Sequence, residues 1–401
     1  MLYEPSRHEI LTRDPWNEKR ARQCIDSIVA DAESALADGI TWPSHPLDVP
    51  DDPPARHKSL YLGSAGVLWA MWHLAQRGFA RLHVDPSSLV ERTLDEYLAN
   101  PDTNEVVPSY FLGEAGILLV AFRLTGEGRF ADRLLAVVEG NIGHPANEAL
   151  WGAPGTMIAA LHMLDWTGDR AWRDLVLANV EDIWRAWHRS AHVPAYLWTQ
   201  DLYGHVVQLI GSGHGFAGNA YPLLRAASQL APDMRQALYA RCVETLRVTR
   251  RFEHGAANWP QGVGTPRPGR TELLMQWCHG APGIVTAFAP FPVGHSAELE
   301  EMLAAAGASI REAGPLAKGF GLCHGTAGNG LALLALYERT RDATWLEHAR
   351  RFAMHAIGQY EAMRERHGRA RYTLWTGDAG LAIYLAQCIE GKAGVPSLDY
   401  L

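Results

Sequence analysis

Residues 61–78 read YLGSAGVLWAMWHLAQRG: two glycines three apart, Gly63 and Gly66, followed by a nearly unbroken apolar run. Residues 111–128, FLGEAGILLVAFRLTGEG, repeat the arrangement, and residues 150–169, LWGAPGTMIAALHMLDWTGD, repeat it again. Further pairs stand at Gly215 and Gly218, Gly280 and Gly283, Gly325 and Gly328, and Gly377 and Gly380. One Gly-x-x-Gly says little. Seven copies, each opening an apolar segment of helical length, define a repeat that runs along most of the chain.

The apolar residues of these segments point almost all round, as in helices buried on most sides. Ahead of each motif lies a second, more amphipathic segment, at about residues 17–36, 87–100, 130–142, 171–189, 233–252, 297–313 and 344–366. In the fourth, Val176, Val180, Ile183 and Trp187 recur at helical spacing among charged neighbours. The pairing predicts an all-α chain of seven inner and seven outer helices, one domain over residues 1–401. Inner helices this apolar favour a closed α/α toroid, because an open solenoid would leave one of their faces wet. Strand signals are weak, with a short hairpin expected within 196–209. The longest inserted loop is expected around 254–275, where Gly255, Pro260, Gly262, Gly264, Pro266, Pro268 and Gly269 cluster. Each glycine pair is expected where a loop turns into an inner helix, with φ > 0 and close backbone approach as the reasons for glycine.

Composition bounds the chemistry. The formal charge of -8 gives no reason to expect nucleic acid as a partner. No uninterrupted apolar run reaches the length of a membrane span. The polar N-terminus is unlike a secretory signal, and five cysteines in 401 residues are unlike a disulfide framework. A cytoplasmic setting is expected, where clustered Cys and His more often serve metals or catalysis.

In register, the residues two before the first glycine are Tyr61, Phe111, Leu150, Gly213, Cys278, Cys323 and Trp375. The residues one before are Leu62, Leu112, Trp151, His214, His279, His324 and Thr376. Metal-type side chains therefore fall only in repeats four, five and six, which are neighbours in a toroid. Two thiolates and one imidazole make a three-ligand zinc set with the fourth place open, and sulfur favours zinc over magnesium or calcium. His279 and His324 compete for the imidazole position. His214, from a repeat without Cys, is better placed as a proton donor or acceptor. Cys24, Cys242 and Cys388 fall within helices and read as core.

The segments NWPQGVGTPRPGRTELLMQWCHGAPG (258–283), KGFGLCHGTAGNG (318–330) and GSGHGFAGN (211–219) resemble the metal and histidine segments of the lanthionine synthetase C-like family. The glycine repeats extend the resemblance over about residues 60–390. The Cys-His-Gly form at 278–280 and NEALWGAPG at 147–155 are more similar to the free-standing, eukaryotic-type members than to the lantibiotic cyclases. Glu148 stands where the cyclases typically carry Asp, a departure that counts against ring formation.

The resemblance implies an α/α toroid with one zinc, held by Cys278, Cys323 and His324, with His214 as acid/base and His279 outside the ligand set. Lys318 matches a lysine of the free-standing members, placed to meet the anionic end of a thiol substrate. Glu148 is a candidate to orient His214 or a substrate. The implied reaction is addition of a thiol, glutathione in the free-standing version, to dehydroalanine or dehydrobutyrine in a peptide or protein. The alternatives are a lanthionine-forming cyclase and a non-catalytic protein that binds zinc or glutathione. A zinc prenyltransferase would need an Asp beside its Cys. A toroidal glycosidase would need a carboxylate pair, and neither Glu148 nor Asp378 has a convincing partner in the sequence.

Overall fold

The computed structural model describes residues 1–36, 39–51, 54–264 and 271–401, so Pro266, Pro268 and Gly269 of the expected long loop lie outside the described residues. Fourteen α-helices appear among the described residues. The seven outer ones are α1 (Glu18–Ser34), α3 (Pro86–Ala99), α5 (Gly128–Gly140), α7 (Arg170–Arg185), α9 (Pro232–Thr249), α11 (Ala297–Ala313) and α13 (Ala343–His367). They alternate with inner helices α2 (Ser64–Gln76), α4 (Glu114–Thr125), α6 (Ala153–Thr167), α8 (Phe216–Arg225), α10 (Ala281–Ala287), α12 (Thr326–Thr340) and α14 (Asp378–Glu390). Each inner helix packs on the next, and α14 packs back on α2, so the inner ring is closed. The fold is the all-α toroid that the repeat predicts. The sequence-based boundaries miss mainly after α7 and α9, where short strands β1 (His188–Arg189) and β5 (Arg251–Glu253) follow instead of further helix.

The two helix sets start differently. Five outer helices carry a side-chain N-cap, namely Asn17, Asp85, Asp169, Ser296 and Asp342. Every inner helix starts at the first glycine of its motif, with no side-chain cap. In most repeats the first-turn N–H groups bond instead to carbonyls seven residues earlier: Ser64 to His57, Glu114 to Val107, Ala217 to Ile210, Thr326 to Gly319 and Asp378 to Arg371. The preceding loop thus folds back tightly over the helix start and satisfies donors that would otherwise be orphaned.

This explains the glycines, and it corrects one expectation. Among the seven leading glycines only Gly280 has positive φ (+112°), and the others are extended. Space, rather than φ, requires most of them. At every second glycine a Cβ would run into the carbonyl oxygen six residues earlier, as at Gly328 against Leu322. Backbone cannot give way as a flexible side chain can. Gly328→Ala is therefore expected to cost about 1–3 kcal/mol of stability, read as a lower urea midpoint. An unchanged midpoint would show that the loop yields freely.

A second ring lies on the same rim. The N–H of Gly213 bonds to the carbonyl of Cys278 (3.1 Å), Cys278 to Cys323 (3.1 Å), Cys323 to Trp375 (2.8 Å), Trp375 to Tyr61 (3.3 Å) and Tyr61 to Phe111 (2.9 Å). These are the residues two before the motifs, so the register seen in the sequence is a physical belt, continued by the Ser109 hydroxyl donating to Leu150 O (2.6 Å). The opposite end of the barrel is filled by residues 394–401. There Leu398 O accepts from Arg225 (2.7 Å), Asp399 accepts from the Tyr221 hydroxyl (2.6 Å), and Gln387 donates to the Tyr400 hydroxyl (2.8 Å).

Insertions cluster at the motif rim. Strands β3 (Gln200–Leu202) and β4 (His205–Leu209) form the expected hairpin within 196–209, preceded by β2 (Tyr196–Leu197), which pairs with β1. Strand β7 (Gly262–Val263) adds to β4, and β6 (Ala256–Asn258) pairs with β5. No helix among the described residues is long and apolar enough to cross a membrane.

Candidate metal centre and acid/base pair

Cys278, Cys323 and His324 converge, with one potential donor atom from each lying within 4.8 Å of the other two. The belt explains why. Cys278 and Cys323 are consecutive members, joined by their backbone hydrogen bond, so both side chains leave the same rim. Gly213, the preceding member, has no room for a side chain, since a Cβ there would lie 2.8 Å from that of Cys278. Repeat four therefore brings its histidine, one residue later, without a cysteine.

Both sulfurs are buried, and each has a polar neighbour. The Gln276 side-chain amide donates to Cys278 Sγ at 3.0 Å. The Tyr61 hydroxyl donates to the Cys323 sulfur, and its ring stacks on Trp375 at 5.8 Å. The Cys323 thiol bonds to Cys278. That bond, helped by His324 and His279, outweighs burial and pulls the Cys278 thiol well below the usual range. The same contact, together with burial, holds Cys323 well above it. Lys318 is exposed but close enough for its charge to lower the Cys323 thiol, opposing these two effects. Residues 7–9 pair with 315–317, the stretch leading into Lys318, through Ala317 N to Arg7 O (3.0 Å) and Glu9 N to Pro315 O (2.9 Å).

His214 and Glu148 meet, at 2.9 Å between Nδ1 and Oε2. Glu148 is completely buried, and it also accepts from Leu150 N (2.9 Å) and Trp151 N (2.6 Å), just ahead of α6. Three hydrogen bonds fix this carboxylate, which in turn fixes the ring. Burial alone would push His214 down. The hydrogen bond and charge of Glu148, with the Cys278 sulfur, outweigh burial and leave His214 above its ordinary value. The His279 ring lies 6.1 Å from that of His214, centroid to centroid. His279 stays outside the three-residue cluster. Both rings line a cavity of about 740 Å³, together with Tyr203, Val207 and Leu209 of the hairpin and Val263 of β7. The hairpin is tied to the loop leading into α6 by Trp151 Nε1 donating to the Tyr203 hydroxyl at 2.9 Å.

The other chemistry-bearing residues separate from this site. Cys24, Cys242 and Cys388 are buried with their thiols pushed up by desolvation, the first and last to about 12, as core cysteines should be. Asp378 is buried against α1 and α2 and accepts from Arg371 N (3.2 Å), so it forms no pair with Glu148. Sequence reasoning missed Gln276 and the part played by Tyr61. Tyr61 was readable in principle, because it shares the belt position of Cys278 and Cys323. Gln276 carries no such signal.

The family model described as lanthionine synthetase C-like protein matches residues 54–399. The chain belongs to this family. It is 31% identical over 213 residues to a Danio rerio protein named glutathione S-transferase LANCL1, an alignment covering 51% of this chain and 47% of that protein. It is 30% identical over 185 residues to LanC-like protein GCL1 of Arabidopsis thaliana, covering 44% of this chain and 40% of the relative. The chain thus spans about half the length of the curated relatives it matches. The fold is similar to that of nisin cyclase, with a TM-score of 0.62 at 16% identity over 92% of this chain and 94% of that one.

Proposed function

We propose that this lanthionine synthetase C-like chain binds one zinc ion through Cys278, Cys323 and His324 and adds a thiol across the double bond of a dehydroalanine or dehydrobutyrine residue. Glutathione is the thiol that best fits, since a lysine sits beside a sulfur-rich centre. The reading rests chiefly on one observation: the Cys278–Cys323–His324 cluster stands beside a histidine held by a buried carboxylate. The donor set suits zinc in kind, with two soft sulfurs that ionise on binding and one imidazole. The three donor atoms lie within 4.8 Å of one another, close enough together for one ion to engage all of them. A zinc ion held by these residues would supply the positive charge that keeps a bound thiol deprotonated at neutral pH.

The remaining chemistry belongs to the chain. Lys318 attracts the carboxylates of the thiol. The thiol loses its proton, its sulfur bonds to the β-carbon of the alkene, and the π pair moves onto the α-carbon and its carbonyl. His214 then delivers a proton to the α-carbon, so that the product is the sum of thiol and alkene. Glu148 holds the ring by Nδ1, which leaves Nε2 to carry that proton, and its charge keeps more of His214 protonated at neutral pH. The cavity beside His214 and His279, lined by both apolar and polar side chains, has room for the alkene-bearing segment.

The test incubates the zinc-loaded chain with a dehydroalanine peptide, with and without glutathione, and weighs the products. A gain of one glutathione is expected. Ring closure of a Cys-containing peptide at unchanged mass, with loss of free thiol, would replace this reading by a cyclase. No acceleration over a Cys323→Ala control in either assay would sink both.

A further inference from the structure

We infer that Gln276 shields the chain's own Cys278 sulfur from the electrophile that the site is built to handle. An active centre that places an activated alkene beside two cysteine sulfurs faces a side reaction. If Cys278 attacked the β-carbon, a Cys278 S–C bond would form, the π pair would move to the α-carbon, and a proton would complete the adduct. The product would be an S-alkylated ligand, heavier by the whole acceptor and lost to catalysis. Selectivity for the added thiol requires the Cys278 lone pairs to be less available than those of the incoming sulfur.

The geometry supplies that difference. Gln276 is buried, and its amide N–H points at Cys278 Sγ from 3.0 Å. It is held there by its own backbone, which pairs both ways with His279: Gln276 N to His279 O at 3.1 Å and His279 N to Gln276 O at 3.2 Å. This two-bond turn encloses Trp277 and Cys278 and fixes the backbone from which the amide reaches the sulfur. A hydrogen bond to an anionic sulfur ties up a lone pair and lowers its reactivity toward carbon. Removing partners of this kind outside the ligand set commonly changes metal affinity or activity by about 10–100-fold, which sets the scale expected here. A donor is needed rather than bulk alone, which makes the amide distinguishable from an apolar residue of the same size. Gln276 is thus a positioning residue, acting on the site through Cys278.

The experiment uses the full zinc-loaded chain and two alkylating probes, iodoacetamide and methyl 2-acetamidoacrylate, without any added thiol. Adducts are located by peptide mass mapping over time. In Gln276→Met, which has similar size and no N–H, Cys278 is expected to be alkylated about tenfold faster or more than in the unaltered chain, with the Cys323 rate unchanged. Gln276→His, which restores an N–H donor, is expected to return Cys278 most of the way to its original rate. Should Gln276→Met fail to fold, Gln276→Leu, smaller by one heavy atom and without any donor, carries the comparison. Equal Cys278 rates in the donor-less and unaltered chains would overturn the inference, as would equal acceleration of Cys278 and Cys323, which marks general loosening. The inference draws its natural electrophile from the thiol-addition reading, but iodoacetamide probes the sulfur directly. Loss of the shielding effect and absence of thiol addition are therefore separate results.

Discussion

Cys323→Ala is expected to lose the metal and to slow glutathione addition by about 10³-fold or more, because a bound ion supplies several kcal/mol of charge stabilisation and each 1.36 kcal/mol is a factor of ten. Cys323 is a ligand candidate and a member of the belt at once. Its N–H bonds to Trp375 O and its carbonyl accepts from Cys278 N. Those are backbone bonds, so alanine keeps them and the toroid should remain folded. The variant therefore separates metal from fold. Metal content, measured by elemental analysis after gel filtration, should fall from one ion per chain to a trace, while the far-ultraviolet circular dichroism stays helical. Retention of a full equivalent of zinc would remove Cys323 from the ligand set. Collapse of the helical signal would show that the centre is a structural staple instead.

His214→Asn is expected to lower the rate of addition by about 10²–10⁴-fold, the usual worth of a positioned general acid, with zinc content unchanged. Glu148 offers a graded companion. Glu148→Gln keeps the shape and an acceptor oxygen but removes the charge that raises His214, so activity should fall and the alkaline limb of the pH profile, where the proton-donating ring is lost, should move to lower pH. The sign follows from the cause: without the carboxylate, burial acts on His214 unopposed and favours the neutral ring. Glu148→Ala should in addition destabilise the fold, because Leu150 N and Trp151 N would lose their acceptor, at about 1–3 kcal/mol for each donor left buried and unpaired. A pH profile indistinguishable between the unaltered chain and Glu148→Gln would mean that the carboxylate serves α6 and not the histidine.

Much of this was legible in the chain, for identifiable reasons. Seven glycine pairs with apolar helices behind them leave few folds open, since each helix pair must hide two or more apolar faces and a closed ring hides the most. The metal candidates were legible because the repeat supplies a ruler, and Cys278, Cys323 and His214 fall at fixed distances from its marks. The reason for the glycines was less legible. Local rules suggest φ > 0, whereas the barrel uses most of them to let a returning carbonyl touch the helix start. The filling of the far end by Leu398, Asp399 and Tyr400 had no local signature, because its partners Tyr221 and Arg225 of α8 and Gln387 of α14 come from two separate repeats.

By itself the sequence determined the helical repeat, the closed ring and the three repeats that carry the candidate ligands and the candidate acid/base histidine, because each depends on spacing along one chain. Only the tertiary structure decided which side chains meet. Cys278, Cys323 and His324 form the cluster while neighbouring His279 turns toward His214 and the cavity. Glu148 reaches across 66 residues to His214, and Gln276 and Tyr61 each claim a sulfur. Repeat spacing puts residues on the same rim. Direction within that rim depends on side-chain rotation and on the space that neighbours such as Gly213 leave open, and those belong to three dimensions.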